Sequence, residues 1–374
     1  MKVHITLVGR QAAPVYHGIV ATQPDLVVLV YSKDTTSSLN RLTANLSIPI
    51  RTIPLHPTDA NLILSTAQNL AQQYANEVIT VNISSGLKSW SHLFGITFQP
   101  LPNAHVVYMD QNNILWDYKT MTSRDDYKFD MDILFKLYGN PLNDYHTYNT
   151  YTNEDYNAVK TIESMRKYNY AQFNELTALL TKEQANTIKQ KQQGKLISSD
   201  ETAFVQWNKT DNWVLLSFSD SSGRNKREEF IQSPNVMNLV FNSGWFEYKV
   251  ANILFQWPHA KEIRINCKFP LPDNNRYTKN EIDIIVNAGR KLLFVECKTN
   301  ISSALDIDKF RTAVNTYGGQ GSKAIFVTNN KMNALQIEKC KDSSIIPFSL
   351  ADTSYTTKQA LFTLLNKNLL SINA

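Results

Sequence analysis

Four β-rich runs lie within the first 109 residues: Val3 to Val8, Asp25 to Tyr31, Glu77 to Ile83 and Ala104 to Met109, the second of them continuously apolar. Longer stretches of helical pattern, such as Thr58 to Asn76, separate them. A run that is apolar at every position, rather than at every second one, suits a strand buried on both faces. Such strands alternating with helices give βαβ crossovers and a mostly parallel sheet. This alternation predicts an open Rossmann-like α/β domain for residues 1–145. Its last strand is expected to turn back through Gln111-Asn112-Asn113 into a hairpin strand over Ile114 to Tyr118.

At 374 residues the chain has room for two or three domains. From Glu154 to Lys195 the pattern becomes helical and dense in Lys, Gln and Glu, and from Phe204 to Ile231 it becomes short strands. Helices followed by a hairpin predict a small winged-helix-like connector over 146–230, with Arg224, Lys226 and Arg227 on an exposed turn. Residues 231–374 open with one predicted helix, Asn238 to Trp257, that carries Glu247. Strands follow over Glu262 to Phe269, Glu281 to Asn287 and Lys291 to Lys298, then a helix over Ala304 to Tyr317 and a strand over Lys323 to Thr328. This is a second α/β core.

With 43% hydrophobic and 19% charged residues the chain is far from the biased compositions of disordered or fibrous proteins. The formal net charge is +5, and the excess is C-terminal: residues 231–374 hold 17 Lys and Arg against 11 Asp and Glu. That points this region toward a polyanionic partner. Three widely spaced cysteines, Cys267, Cys297 and Cys340, offer neither a disulfide framework nor a CxxC zinc site. The opening MKVHITLVG is too short an apolar run for a signal peptide, and no stretch is apolar enough to span a membrane. A cytoplasmic location without membrane association is the expectation.

The segment Glu281 to Lys298, EIDIIVNAGRKLLFVECK, holds two β-rich runs joined at Gly289-Arg290, which suits a two-residue type II′ turn. If Ala288 pairs with Lys291, Asp283 falls opposite Glu296. Side chains alternate along a strand, so Lys298 shares a face with Glu296, while Val295 and Cys297 point to the other. Two carboxylates can hold Mg²⁺ or Mn²⁺, and an adjacent amine lowers the cost of forming hydroxide. Apolar neighbours on both strands put these charges at the edge of a buried sheet, where they are costly unless paired or bound to metal.

In the first half, Asn82-Ile83-Ser84-Ser85-Gly86-Leu87-Lys88 follows an apolar strand and opens a helix. Small residues there allow close backbone approach, and helix N-terminal N–H groups attract phosphate. The loop after the first strand, Gly9-Arg10-Gln11 to Pro14, is expected at the same sheet edge. Walker A and GxGxxG patterns are missing from the sequence, which disfavours ordinary mononucleotide and dinucleotide use.

Asp283 followed by Glu296-Cys297-Lys298 resembles the PD-(D/E)xK nuclease signature, with Ile282 in place of its Pro, and Glu247 resembles that superfamily's additional acidic residue. The resemblance spans about residues 238–330. It implies metal contact at Asp283, Glu296 and Cys297, a water-activating Lys298 and a supporting Glu247. Taken with the first half, the chain resembles CARF-domain effector nucleases of type III CRISPR defence, whose pattern at this loop usually reads Asn-Ile/Leu-Thr-Gly-Gly-Thr-Lys. Ser84, Gly86 and Lys88 keep that pattern; Ser85 and Leu87 depart from it. The resemblance implies a sensor domain that binds a cyclic oligoadenylate, cyclic tetra-adenylate being the commonest, through Gly9, Arg10, Gln11, Asn82, Ser84, Ser85, Gly86, Leu87 and Lys88. It further implies a homodimer that cleaves RNA, DNA or both. A ligand-binding regulator whose connector binds DNA and whose nuclease fold is inert is the competing expectation.

Overall fold

A computed structural model describes residues 1–220, 222–241, 243–271, 274–299, 301, 304–319, 321–351 and 357–370. The chain begins with β1 (Lys2–Leu7), α1 (Ala13–Thr22), β2 (Leu26–Tyr31), α2 (Thr36–Ala44), β3 (Ile50–Pro54), α3 (Ala60–Gln73), β4 (Val78–Asn82), α4 (Lys88–Phe98), β5 (Ala104–Met109), β6 (Leu115–Asp117) and β7 (Thr122–Arg124). They form a sheet of order β3-β2-β1-β4-β5-β6-β7. It is parallel through β5 and antiparallel at β6 and β7. The apolar runs are buried on both faces, with Val27 to Val30 fully enclosed. α3 and α4 cover one face and α1 and α2 the other. The strand order reverses between β1 and β4, the switch point where open α/β sheets bind ligands. The expected hairpin is present, its turn at Asp110 to Ile114 made tight by Asn113 at φ +56°.

The chain continues through α5 (Met131–Leu137), β8 (Asp144–Thr147), α6 (Asn153–Tyr168), α7 (Tyr170–Thr177), α8 (Lys182–Gln190), β9 (Gln193–Ile197), β10 (Phe204–Asn208), β11 (Trp213–Ser219) and β12 (Lys226–Gln232). Thr152 and Thr181 cap α6 and α8 with reciprocal capping boxes. The connector is therefore three helices and a four-stranded antiparallel sheet, order β12-β11-β10-β9. Arg227 is turned back to Glu229 at 2.7 Å, so it is not displayed with Arg224 and Lys226.

The last part comprises α9 (Val236–Val240), α10 (Gly244–Phe255), β13 (Glu262–Leu271), β14 (Asn274–Asn287), β15 (Leu292–Lys298), α11 (Ala304–Tyr317), β16 (Lys323–Thr328), α12 (Ala334–Asp342), β17 (Ile345–Ser349) and α13 (Thr357–Leu365). Its sheet has the order β17-β16-β15-β14-β13-β8, so β8 joins this sheet from the far side of the connector. The single helix expected over Asn238 to Trp257 is corrected to two. Ser243, with φ +65°, breaks it just before α10. One continuous core joins the connector to the α10 face of this sheet, with Trp207, Trp245 and Trp257 fully buried in it. The opposite face packs α11 and α5 in a second core.

No described helix is long and apolar enough to cross a membrane. The three cysteines are free and buried.

Candidate functional site

The hairpin β14–β15 has the expected register from Asn287↔Leu292 to Ile284↔Val295, closed by Ala288 N–H donating to Lys291 O at 2.9 Å. Gly289 sits at φ +89° in the turn, a conformation that L side chains rarely adopt. Beyond Ile284 the regular pattern stops. Ile265 and Ile284 belong to the α10 side of the sheet, yet Cys267 and Ile282 belong to the α11 side. Residues two apart in a regular strand share a face, so both strands switch sides between these positions, at Asn266 and Asp283. Asn266 absorbs the switch with φ +54°. Asp283 uses its carboxylate there: Oδ2 accepts from Cys297 N–H at 2.7 Å.

This distortion gathers the charged groups. Lys298 Nζ lies 2.8 Å from Glu296 Oε1 and 3.9 Å from Asp283 Oδ2. The Asp283 and Glu296 side chains are 13% and 14% exposed. Burial, reinforced by the neighbouring Asp283, pushes Glu296 up to about 7. Burial likewise raises Asp283, against the pull of Lys298 and the Cys297 N–H. Glu247, carried on α10 from the other face, is raised well above the carboxylate range by burial and then by Asp283. Burial works against the Lys298 ammonium, but Asp283 and Glu296 outweigh it and hold it protonated beyond the usual lysine range.

Of the predicted residues, Glu247, Asp283, Glu296 and Lys298 thus sense one another, and Cys297 requires correction as a metal contact. Its thiol is buried in the core on the opposite face and burial raises it strongly, so it is neither placed nor ionised to act as a ligand. Its main-chain N–H orients Asp283 instead. A cleft of 270 Å³ opens beside Glu296 and Lys298, lined also by Glu281, Asp306, Lys309 and Phe310. Glu281 was legible as the acid two positions before Asp283. Asp306 and Lys309, one turn apart on α11, carried no signal until packing laid that helix over the hairpin.

The donor set fits a divalent cation by its chemistry. Three mostly buried carboxylates, hard oxygen donors, lie within electrostatic reach of one ammonium, and burial is the main cause of their raised proton affinities. Among the described residues no group of three or more His, Cys, Asp or Glu side chains is already set around an ion position. The Lys298 ammonium, in hydrogen-bond contact with Glu296, takes part of that space.

Raised carboxylates also make a stability prediction. Below the ordinary glutamate value of 4.5 Glu296 is protonated in both folded and unfolded chains. Between 4.5 and about 7 the folded chain binds the extra proton, so stability falls as pH rises through this window. At pH 8 without metal, Glu296→Gln should therefore raise the melting temperature by about 2–6 °C, from about 1–3 kcal/mol. The gain should vanish near pH 4. Differential scanning fluorimetry across pH reads this, and a variant that melts lower than the native chain at pH 8 would contradict it.

At the sensor's switch point the two predicted loops meet. Gly9 N–H donates to Ser85 Oγ at 3.1 Å, and Ser85 Oγ donates to Gln11 O at 3.2 Å. A Cβ on Gly9 would stand 2.6 Å from Gly86 N, so glycine is what lets these loops touch. Asn82 is fully buried; its Oδ1 accepts from Ser84 N–H at 3.0 Å and from the Ser84 hydroxyl. Ser84 Oγ in turn accepts from Met109 N–H at 2.6 Å. Asn82 and Ser84 thus shape the loop from within, while Leu87 and Lys88 are exposed at the start of α4. Leu87, at the N-cap, brings no side-chain acceptor to the first N–H groups of α4, leaving the positive helix end to an anion. Arg10 and Gln11 line a 200 Å³ cavity with Pro14, Asp110, Asn113 and Tyr138.

No protein-family model matches the sequence, and no curated protein matches it. Solved structures do. Can2 from Sulfobacillus thermosulfidooxidans, in complex with cyclic tetra-adenylate, is 16% identical, with 99% of each chain covered and a TM-score of 0.64. Protein VC1899 from Vibrio cholerae is 14% identical over 98% of each chain, with a TM-score of 0.73. A type III CRISPR defence DNA nuclease activated by cyclic oligoadenylate is 14% identical with a TM-score of 0.60; 98% of this chain covers 52% of that one, about half its length. At these identities the likeness is one of fold, and it extends from the Rossmann-like sheet through the connector to the last helix: the chain has the α/β architecture that these three structures share.

Proposed function

We propose that the chain is a metal-dependent endonuclease of the PD-(D/E)xK kind, switched on by a cyclic oligoadenylate in type III CRISPR defence. The mutual electrostatic influence of Glu247, Asp283, Glu296 and Lys298, with Glu296 and Lys298 lining one cleft, carries the reading. A fold shared with cyclic tetra-adenylate-bound Can2 and with a cyclic oligoadenylate-activated DNA nuclease supports it. Cyclic tetra-adenylate is the proposed activator, and single-stranded DNA or RNA the proposed substrate. A homodimer is the proposed assembly, because a ring of even size can be two-fold symmetric and an isologous dimer presents matching loops to it.

Glu247, Asp283 and Glu296 would hold Mg²⁺ or Mn²⁺, which when bound polarises a phosphoryl oxygen and lowers the pKa of a bound water. The chain's own groups do the rest. Lys298 stays protonated and is anchored by Glu296, so its remaining N–H groups point donors at an attacking water or at charge building on phosphate. The Cys297 N–H fixes the Asp283 carboxylate in one orientation. Lys309, across the cleft on α11, adds positive charge where a nucleic-acid strand would enter.

The test incubates purified protein with labelled single- and double-stranded DNA and RNA, with Mn²⁺ or Mg²⁺, and with or without a panel of cyclic oligoadenylates. Cleavage should need metal and should rise strongly from a low basal rate when activator is added. Excess EDTA should stop it and Mn²⁺ in excess of chelator should restore it, because hard carboxylate oxygens select such ions. Cleavage that is undiminished in EDTA would refute the mechanism.

A further inference from the structure

We infer that the sensor turn Asp110 to Ile114 is a positioning element for the nuclease site, gripping the catalytic hairpin at its turn through Asn112 and Asn113. The inference rests on the proposed function and names the route by which the activator is felt.

The contacts lie at the closed end of the hairpin. Asn113 Nδ2 donates to Arg290 O at 2.6 Å, and Lys291 Nζ donates to Asn112 Oδ1 at 2.8 Å. Lys291 is only 8% exposed, and its ammonium also donates to Leu369 O at 2.8 Å. A buried ammonium held by neutral acceptors is costly to bury, and it joins the sensor turn, the hairpin turn and the C-terminal segment at one point. Arg290 also pairs with Asp125. A third approach comes from the loop after α11, where a Cβ on Gly321 would stand 2.8 Å from Gln111 O, leaving room for glycine alone.

The sensor turn is itself stiff. Asp110 Oδ1 accepts from Asn112 N–H at 2.8 Å and Ile114 N–H at 2.9 Å, and Tyr127 donates to Asn113 O at 2.8 Å. Its other side, Asp110, Gln111 and Asn113, lines the same cavity as Arg10 and Gln11 of the ligand loop and the end of α11. A change at the ligand loop therefore meets a rigid turn whose far side holds the hairpin. From Lys291 to Glu296 the hairpin runs about 17 Å, between β13 and β16 in the middle of a close-packed sheet. Close packing passes a displacement along rather than absorbing it. Asp283, at the side switch, and Glu296 stand at the end of that lever, and α11, whose following loop packs Gly321 against Gln111, forms the opposite wall of the cleft.

The test compares Asn112→Ala, Lys291→Met and Asn112→Asp with the native chain. It measures cleavage with Mn²⁺ with and without saturating cyclic tetra-adenylate, calorimetric binding of that activator, and hydrogen exchange over residues 283–298. Asn112→Ala and Lys291→Met should cut the ratio of activated to basal rate by about 10-fold, within the range of couplings between sites. Activator binding and basal cleavage should persist. Asn112→Asp keeps the acceptor for Lys291 and should retain the ratio. Activator should alter exchange over 283–298 in the native chain and not in Asn112→Ala, a variant at a partly exposed turn that does not depend on Lys291 folding well. Native activation ratios in both Asn112→Ala and Lys291→Met would overturn the coupling while leaving the nuclease reading intact. A native chain that neither binds the activator nor cleaves would overturn that reading, and the coupling with it.

Discussion

Glu296→Ala is expected to reduce activated cleavage by at least about 1000-fold, a loss of about 4 kcal/mol of transition-state stabilisation. The carboxylate has two tasks in the cleft: it would contribute to holding the cation, and it anchors the Lys298 ammonium at 2.8 Å. Removing it frees Lys298 to pair with Asp283, now 3.9 Å away, which would occupy one of the two remaining acids. Lys298→Ala should be similarly inactive for the converse reason, since three buried carboxylates are then left with no ammonium among them. Both variants should remain folded and bind activator, because neither side chain belongs to the hydrophobic cores. Gel-based cleavage at saturating Mn²⁺, with circular dichroism and activator calorimetry as controls, checks this. Wild-type rates in either variant would remove the site from the mechanism.

Lys88→Ala is the second large effect. Lys88 is exposed at the first turn of α4, where an anion also meets the positive helix end, and Leu87 supplies no competing side-chain acceptor. Charge-assisted hydrogen bonds to phosphate are among the strong ones. In a two-fold symmetric dimer each activator ring would lose two of them, so affinity should fall by about 100-fold or more, at about 1.4 kcal/mol per tenfold. Cleavage at saturating activator should approach the native rate, since the nuclease site is untouched. Calorimetry gives affinity and stoichiometry together, and light scattering gives the mass. One ring per two chains is the expected ratio. A monomer binding one ring per chain, still fully switchable, would refute the shared site even if nuclease activity stood.

Much of this molecule could be read from local sequence. The βαβ alternation, the β5–β6 hairpin and the β14–β15 register all follow from short-range rules of burial, periodicity and turn chemistry, and each is present. Those rules also put Asp283, Glu296 and Lys298 on one hairpin, because its register is set by its turn, although the ladder ends at Ile284↔Val295 and the distortion beyond it is what gathers the charges. The approach of Gly9 to Ser85 was legible for a related reason: adjacent parallel strands around a switch point put their following loops side by side.

Tertiary structure decided what depends on groups far apart in the chain. The face switch at Asn266 and Asp283 breaks strand alternation because one strand must serve two cores, packing Ile284 against the α10 side and Ile282 against the α11 side. The break at Ser243, which sets where α10 begins, falls in the Asn-Ser-Gly run at 242–244, a turn signal that the apolar helical pattern on either side outweighs when read locally. Asn82 reads in sequence as a ligand contact, yet burial turns it inward to brace Ser84. Asn112 reads as a residue of an ordinary turn until the fold sets it against Lys291, 179 positions away. Sequence alone determined which strands form and which charges share a hairpin, because those are matters of neighbouring residues. Folding decided what those charges face, because burial and long-range contact exist only once the domains have packed.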